Sequence, residues 1–114
     1  MAPHVLVVDD HAAFRELAAL RLRAFGCTCV TVGSVADAID ALARERFDAV
    51  LSDHSLPGPS GLDLLAYMHH RHLETPCVLM SAWLEDDVRR KALALGAVAV
   101  YDKSDLVDSF RLVA

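Results

Sequence analysis

The sequence predicts an α/β fold: a three-layer sandwich in which five helices flank a five-stranded parallel sheet. Three observations carry that expectation. Short apolar runs alternate with longer segments of helical period. Runs such as His4–Val8 are apolar almost throughout rather than at alternate positions, as a strand covered on both faces requires. Turn and cap residues punctuate the junctions. At 114 residues, 54% of them apolar, the chain fits one compact domain, 1–114, with a substantial core.

Taken in order, His4–Val8 is the first strand and Ala12–Phe25 the first helix. In that helix Phe14, Leu17, Leu20 or Ala18, and Leu22 to Phe25 recur at helical spacing, and Gly26 stands where a left-handed terminating residue belongs. Thr28–Val32, short and β-branched, is the second strand. Ser34-Val-Ala-Asp37 has capping-box form and opens a helix reaching about Glu45, with Val35, Ile39, Leu42 and Ala43 as its stripe. Asp48–Ser52 is the third strand, and His54–Ser60, with two prolines and a glycine, is a loop. Ser60-Gly-Leu-Asp63 repeats the capping-box spacing and opens a helix through Leu62, Leu65, Ala66 and Met68 or His69. Pro76 precedes the fourth strand, Cys77–Ser81. Glu85–Leu95 is helical, with three acids at its start to suit the helix dipole and Gly96 to end it. Val98–Tyr101 is the fifth strand. Ser104–Val113 is the last helix, with Leu106, Val107, Phe110 and Val113 on one face. Right-handed crossovers leave few topologies, and the flavodoxin-like order 2-1-3-4-5 is the expected one.

The composition excludes several functions. Lys plus Arg is 11 against 16 for Asp plus Glu, a formal charge of −5, so direct nucleic-acid binding by this domain is not expected. The three cysteines Cys27, Cys29 and Cys77 are an odd number and do not read as a disulfide framework. They suit a reducing cytoplasm, as buried thiols. No run approaches the roughly 18 apolar residues of a membrane span, and Met1 leads into a strand without the form of a signal peptide.

The polar residues at the predicted strand ends carry the chemistry. Ligands of open α/β sheets bind beyond the carboxyl ends of the strands, where the strand order switches, here between strands one and three. Strand one runs into Asp9-Asp10, strand three into Asp53, strand four ends in Ser81, and Lys103 follows strand five. Carboxylates about 4 Å apart repel by about 4 kcal/mol per pair at an effective dielectric of about 20. A proton or a hard cation relieves that repulsion. With no soft ligand expected at these ends, the reading is Mg²⁺, with Mn²⁺ as a substitute. Asp9, Asp10, Asp53 and the backbone carbonyl of Ser55 would hold it. Asp53, at the end of the middle strand before an open loop, is the candidate nucleophile for a phosphoryl group. Ser81 and Lys103 would meet the phosphoryl oxygens.

These residues resemble the receiver domains of bacterial two-component response regulators over essentially the whole chain. The marks are Asp9-Asp10, Asp53, Ser81-Ala82, Lys103, and the segment Asp53-His-Ser-Leu-Pro-Gly-Pro-Ser-Gly-Leu-Asp-Leu-Leu65 with Pro57 and Gly61. The resemblance implies phosphotransfer to Asp53 from a histidine kinase or phosphotransfer domain. It also implies a switch in which Ser81 moves toward the phosphoryl group and Tyr101 turns inward. That repacks the face of helix four, strand five and helix five, which would control an output domain, a target protein or a homodimer. The domain would transfer to and hydrolyse from itself, without turnover of an external substrate. A free-standing domain and an N-terminal piece of a larger regulator both suit it, the short last helix favouring the latter.

Departures from the family pattern are Ser104 in place of a proline after Lys103, His54 in place of an aliphatic residue, and the bulky Trp83. A cis Lys103–Ser104 bond would cost about 2.5–4 kcal/mol, so a trans or strained bond is expected. In His69-His70-Arg71-His72 only His69 and His72 have metal-ligand spacing, and solvated helix-end residues are the simpler reading. His4 and His11 read as exposed polar residues. Three other functions compete. The first alternative is a receiver-like contact module that does not switch by phosphorylation; loss of an acid or of the lysine would favour it, and none is lost. An aspartate-nucleophile phosphatase typically has a second acid where Ser55 stands. A flavin carrier would have Gly and Ser where Asp9 and Asp10 repel phosphate.

Overall fold

In the computed structural model, residues 2–82 and 85–105 are described. The strands are β1 His4–Val8, β2 Thr28–Val32, β3 Ala49–Asp53, β4 Cys77–Ser81 and β5 Ala99–Asp102. All are parallel, in the order β2-β1-β3-β4-β5. Four α-helices are described: α1 Ala12–Ala24, α2 Val35–Arg44, α3 Gly61–His70 and α4 Asp86–Ala94. The expected fifth helix begins differently, because Lys103–Asp105 forms a 3₁₀ turn. The remainder of that helix, with Leu106, Val107, Phe110 and Val113, lies outside the described residues, as does Trp83. None of the described helices is long and apolar enough to cross a membrane.

The period of two along each strand divides the core into two layers. Leu6, Val8, Val50, Leu79 and Val100 face one side, where α2, α3 and α4 contribute Ala38, Ala41, Leu64, Leu65, Met68 and Ala92. Val5, Val7, Ala49, Leu51, Val78 and Met80 face the other side, against Ala18 and Leu22 of α1. β3 and β4 are buried throughout, whereas the edge strand β2 is half-buried, which explains the near-continuous apolar runs of the central strands.

Several details differ from the sequence expectation. The buried stripe of α1 is Ala18 and Leu22 with half-buried Phe14, at i, i+4 and i+8, while Leu17, Leu20 and Phe25 are exposed. β3 and β5 each start and end one residue later than expected. The Asp48 N–H donates to the His4 carbonyl at 2.7 Å and the Val98 N–H to that of Cys77 at 3.0 Å, so both residues are the entries to their strands. His4 is half-buried rather than exposed. Its ring stacks on Phe47 with centroids 4.8 Å apart, and Nδ1 lies 2.7 Å from Thr28 Oγ1. Cys77 is buried and its thiol pushed up to about 12 by desolvation, while Cys29 is only half-buried.

The caps fall at the expected residues, but the capping box is complete only at α3. Ser60 and Asp63 complete a reciprocal capping box at α3, and Ser34 Oγ accepts from the Asp37 N–H at α2. α1, α3 and α4 end in the same hydrogen-bonding motif, with Cys27, Leu73 and Ala97 donating to the carbonyls of Leu22, Met68 and Ala92. The left-handed position is Gly26 in the first (φ +85°) and Gly96 in the last (φ +94°), but His72 in the second, at φ +53°. A side chain there is strained, since the left-handed region costs a non-glycine residue about 1–2 kcal/mol. His72→Gly is therefore expected to raise stability by about 1 kcal/mol in urea unfolding, net of the greater freedom glycine gives the unfolded chain.

Candidate functional site

The strand register builds the site. Val8 pairs with Ser52, so the next residues, Asp9 and Asp53, leave the adjacent ends of β1 and β3. Asp53 pairs with Met80, and Ser81 with Asp102, which brings the ends of β4 and β5 to the same edge. Asp9 is fully buried, Asp53 and Ser81 are nearly so, and Asp10 is exposed. Lys103 reaches back across this edge. Its Nζ lies 2.6 Å from Asp9 Oδ2 and 3.4 Å from Asp53 Oδ2, and 4.5 Å above the ring of Phe14 on α1. The sequence-predicted residues Asp9, Asp53 and Lys103 are thus in one contact group. Ser81 holds the last position of β4, and Ser55 is exposed in the loop that follows β3. Tyr101 is half-buried on β5 and packs against the core layer of α1.

The turn that aims Lys103 is held without proline. The Lys103–Ser104 bond is trans. Asp102 Oδ1 accepts from both the backbone N–H and the hydroxyl of Ser104, each at 2.9 Å, closing an Asx turn around the lysine. Those two donors also lower the pKa of the Asp102 carboxyl.

Other contacts are not evident from residue type. The Arg15 guanidinium donates to the Asp9 backbone carbonyl at 2.8 Å. The His11 N–H donates to Asp9 Oδ1 at 2.9 Å. The His11 ring, exposed as expected, has its Nδ1 3.3 Å from one oxygen of Asp9 and 3.3 Å from one of Asp10. That imidazole places a nitrogen donor of intermediate softness beside the oxygen donors of the acidic pair. Potential ligand atoms of Asp9, Asp10 and His11 lie within 4.8 Å of one another. Arg15 and Phe14 lie one turn into α1 from the acidic pair, a helical spacing that could have marked them.

The donor set fits a divalent cation. Two buried carboxylates meet one ammonium, Asp10 adjoins them through its contact with His11, and Asp9 Oδ2, buried, makes no aligned hydrogen bond among the described residues beyond its ion contact with Lys103. Burial pushes the Asp53 carboxyl above the usual aspartate range; Lys103 opposes this, while Asp9 and Asp10 add to it.

α3 closes the site from behind through Gly61. The Gly61 N–H donates to the His54 carbonyl at 2.9 Å, and a Cβ at Gly61 would stand 2.3 Å from the Asp53 carbonyl oxygen and 2.7 Å from Leu79 Cδ1. Only glycine lets the start of α3 lie this close to the end of β3.

The fold and this edge define a flavodoxin-like α/β domain with an acidic, lysine-bridged edge at the switch in strand order. The chain belongs to the response regulator receiver domain family, whose model matches residues 5–110. It is 39% identical over 92 residues to the response regulator protein PilR of Pseudomonas aeruginosa, covering 81% of this chain and 21% of PilR. It is 37% identical over 93 residues to the DNA-binding transcriptional regulator NtrC of Escherichia coli, covering 82% of this chain and 20% of NtrC. The chain thus spans about a fifth of the length of these relatives. A response regulator receiver protein from Pseudomonas putida superposes with a TM-score of 0.92 at 27% identity, covering 99% of this chain and 96% of that one. This chain is therefore a receiver domain of the two-component systems, a family of signalling modules.

Two outcomes follow. Gly61→Ala is expected to lower stability by about 1–3 kcal/mol in urea unfolding, because the overlap is with backbone and with a core leucine. An acid whose pKa rises on folding is penalised when ionised. The penalty is absent below the unfolded pKa of about 4 and is complete once pH has passed the higher folded value. Asp53→Asn should therefore melt higher than the parent at pH 7 in chelator, and the gain should vanish on acidification below about pH 4. An equal or lower melting point at pH 7 would show that pairing with Lys103 outweighs burial.

Proposed function

We propose that this domain accepts a phosphoryl group on Asp53 in a Mg²⁺-dependent reaction and relays its phosphorylation state to an output domain or partner. The observation that carries the reading is the pair of buried carboxylates, Asp9 and Asp53, bridged by Lys103 at the switch in strand order. Asp9, Asp10, Asp53 and the Ser55 carbonyl are the residues that would hold the metal. Bound there, Mg²⁺ (or Mn²⁺) would neutralise carboxylate and phosphoryl charge.

An oxygen of Asp53 attacks phosphorus, the bond from phosphorus to the donor breaks, and the donor leaves with that electron pair. From a kinase or phosphotransfer domain the leaving group is an imidazole; from acetyl phosphate it is acetate. Lys103, already 3.4 Å from Asp53 Oδ2, exchanges a carboxylate oxygen for a phosphoryl oxygen. Ser81 then donates its hydroxyl to the same group, and half-buried Tyr101 follows inward. The readout falls on the α4–β5 face and the segment after it, which serves a target, an output domain such as longer relatives have room for, or a second copy of the domain. Phosphotransfer of this kind belongs in the cytoplasm, where such kinases present their phosphohistidine.

Intact mass after incubation with acetyl phosphate should show one added phosphoryl group that requires Mg²⁺ and is absent in Asp53→Asn. Lys103→Ala should slow its appearance on the order of 10²-fold, the scale on which one charge-stabilising donor counts. If no adduct forms and beryllofluoride, a stable phosphoryl mimic, does not bind, the domain acts through protein contacts alone.

A further inference from the structure

His11 is the one imidazole among the described residues whose nitrogen joins the acidic pair. It is the N-cap of α1, yet its side chain makes no capping hydrogen bond. The ring is 71% exposed, so its polar contacts with the acidic pair, a hydrogen bond of Nδ1 with Asp9 Oδ1 among them, rather than packing set its position. Its Nδ1 stands at the same 3.3 Å from Asp9 Oδ1 and from Asp10 Oδ1. Adjacent ligands of a cation with bonds of about 2.0–2.2 Å stand about 3 Å apart, so these three atoms have the spacing of neighbouring ligands. Asp53 is outside this group of three; its carboxylate faces Lys103.

We propose that His11 is a metal ligand that sets the ion preference of this edge, so that the domain takes Co²⁺, Ni²⁺ and Zn²⁺ ahead of Mg²⁺. The inference rests on the reading that Asp9 and Asp10 hold a divalent cation, and adds to it a choice among cations. Mg²⁺ is hard, dehydrates reluctantly and gains little from nitrogen. An imidazole suits the later first-row ions, whose affinities rise along that series. A carboxylate pair alone discriminates weakly between them; a carboxylate pair with an imidazole does not. The ring already stands at that ligand spacing, and its backbone is tied to Asp9 Oδ1 at 2.9 Å.

Titration calorimetry with Mg²⁺ and with Co²⁺, joined to the visible spectrum of bound Co²⁺, tests this on the domain and three variants. The parent should bind Co²⁺ at least about tenfold more tightly than Mg²⁺. His11→Ala should lose about tenfold or more in Co²⁺ affinity and change the Co²⁺ spectrum, with Mg²⁺ affinity within about twofold of the parent. His69→Ala, at the end of α3, separates this edge from the other histidine cluster and should leave Co²⁺ binding as in the parent. Asp9→Asn should weaken both ions. If His11→Ala keeps parental Co²⁺ affinity, or loses Mg²⁺ and Co²⁺ equally, His11 does not choose the ion and the inference falls. Asp9→Asn binding both ions like the parent would overturn the cation reading itself.

Discussion

The ion contacts of Lys103 with Asp9 and Asp53 are the constraint on which the rest of the domain depends. The lysine lies 50 residues beyond Asp53 in sequence and meets it at 3.4 Å, and it meets Asp9 at 2.6 Å. Such a contact exists only if β1 and β3 are neighbours in register and β5 ends at the same edge, which the order β2-β1-β3-β4-β5 provides. It also needs local devices. The Asx turn of Asp102 on Ser104 sets the direction in which Lys103 departs, and Phe14 supplies an aromatic face along its path. Arg15 and His11 hold the backbone and carboxylate of Asp9 from the helix side. Gly61 removes the side chain that would separate α3 from the end of β3.

The two edges of the sheet are built on different terms. At the amino edge the polar groups are matched: the His4 N–H donates to Asp48 at 2.7 Å, its ring spans Thr28 and Glu45, and Phe47 stacks beneath it. At the carboxyl edge two buried acids, Asp9 and Asp53, share one ammonium with Asp10 close by, and burial pushes the pKa of Asp53 upward. Matched polar groups stabilise modestly, whereas an under-compensated buried carboxylate costs stability. Whatever brings positive charge or removes negative charge at that edge therefore has free energy to draw on. The fold places its functional tension at one end and its fastening at the other.

Most of the architecture was legible because it follows from period. Continuous apolar runs gave the strands, and capping residues at Ser34 and Ser60 and glycines 26 and 96 gave the helix ends. The errors came where period is degenerate. In α1, Leu17 and Leu20 satisfy helical spacing as well as Ala18 does, yet the closer packing of α1 on the sheet selects the small residue. β3 and β5 were displaced by one residue because Asp48 and Val98 are strand entries set by a single hydrogen bond each. In the site, Asp9, Asp53 and Lys103 were legible from charge at strand ends. The contacts of Arg15, Phe14, His11 and Asp102 were not, since they depend on rotamers and on tertiary approach rather than on residue spacing alone. His72 in a left-handed terminus was likewise invisible, because glycine is the usual signal there.

The same contrast explains why the lysine, rather than a fourth acid, completes the edge. A fourth carboxylate would deepen the repulsion among Asp9, Asp10 and Asp53, each added close pair costing about 4 kcal/mol at an effective dielectric of about 20. A fixed ammonium lowers that cost without filling the space a cation needs. Its contacts are unequal, 2.6 Å to Asp9 and 3.4 Å to Asp53, so Asp9 is the better neutralised of the two. The weaker pairing leaves Asp53 the more open to exchange its partner. In the proposed reaction, the carboxylate with the looser grip on Lys103 is the one that takes the phosphoryl group while the lysine and Asp9 keep the strand ends together.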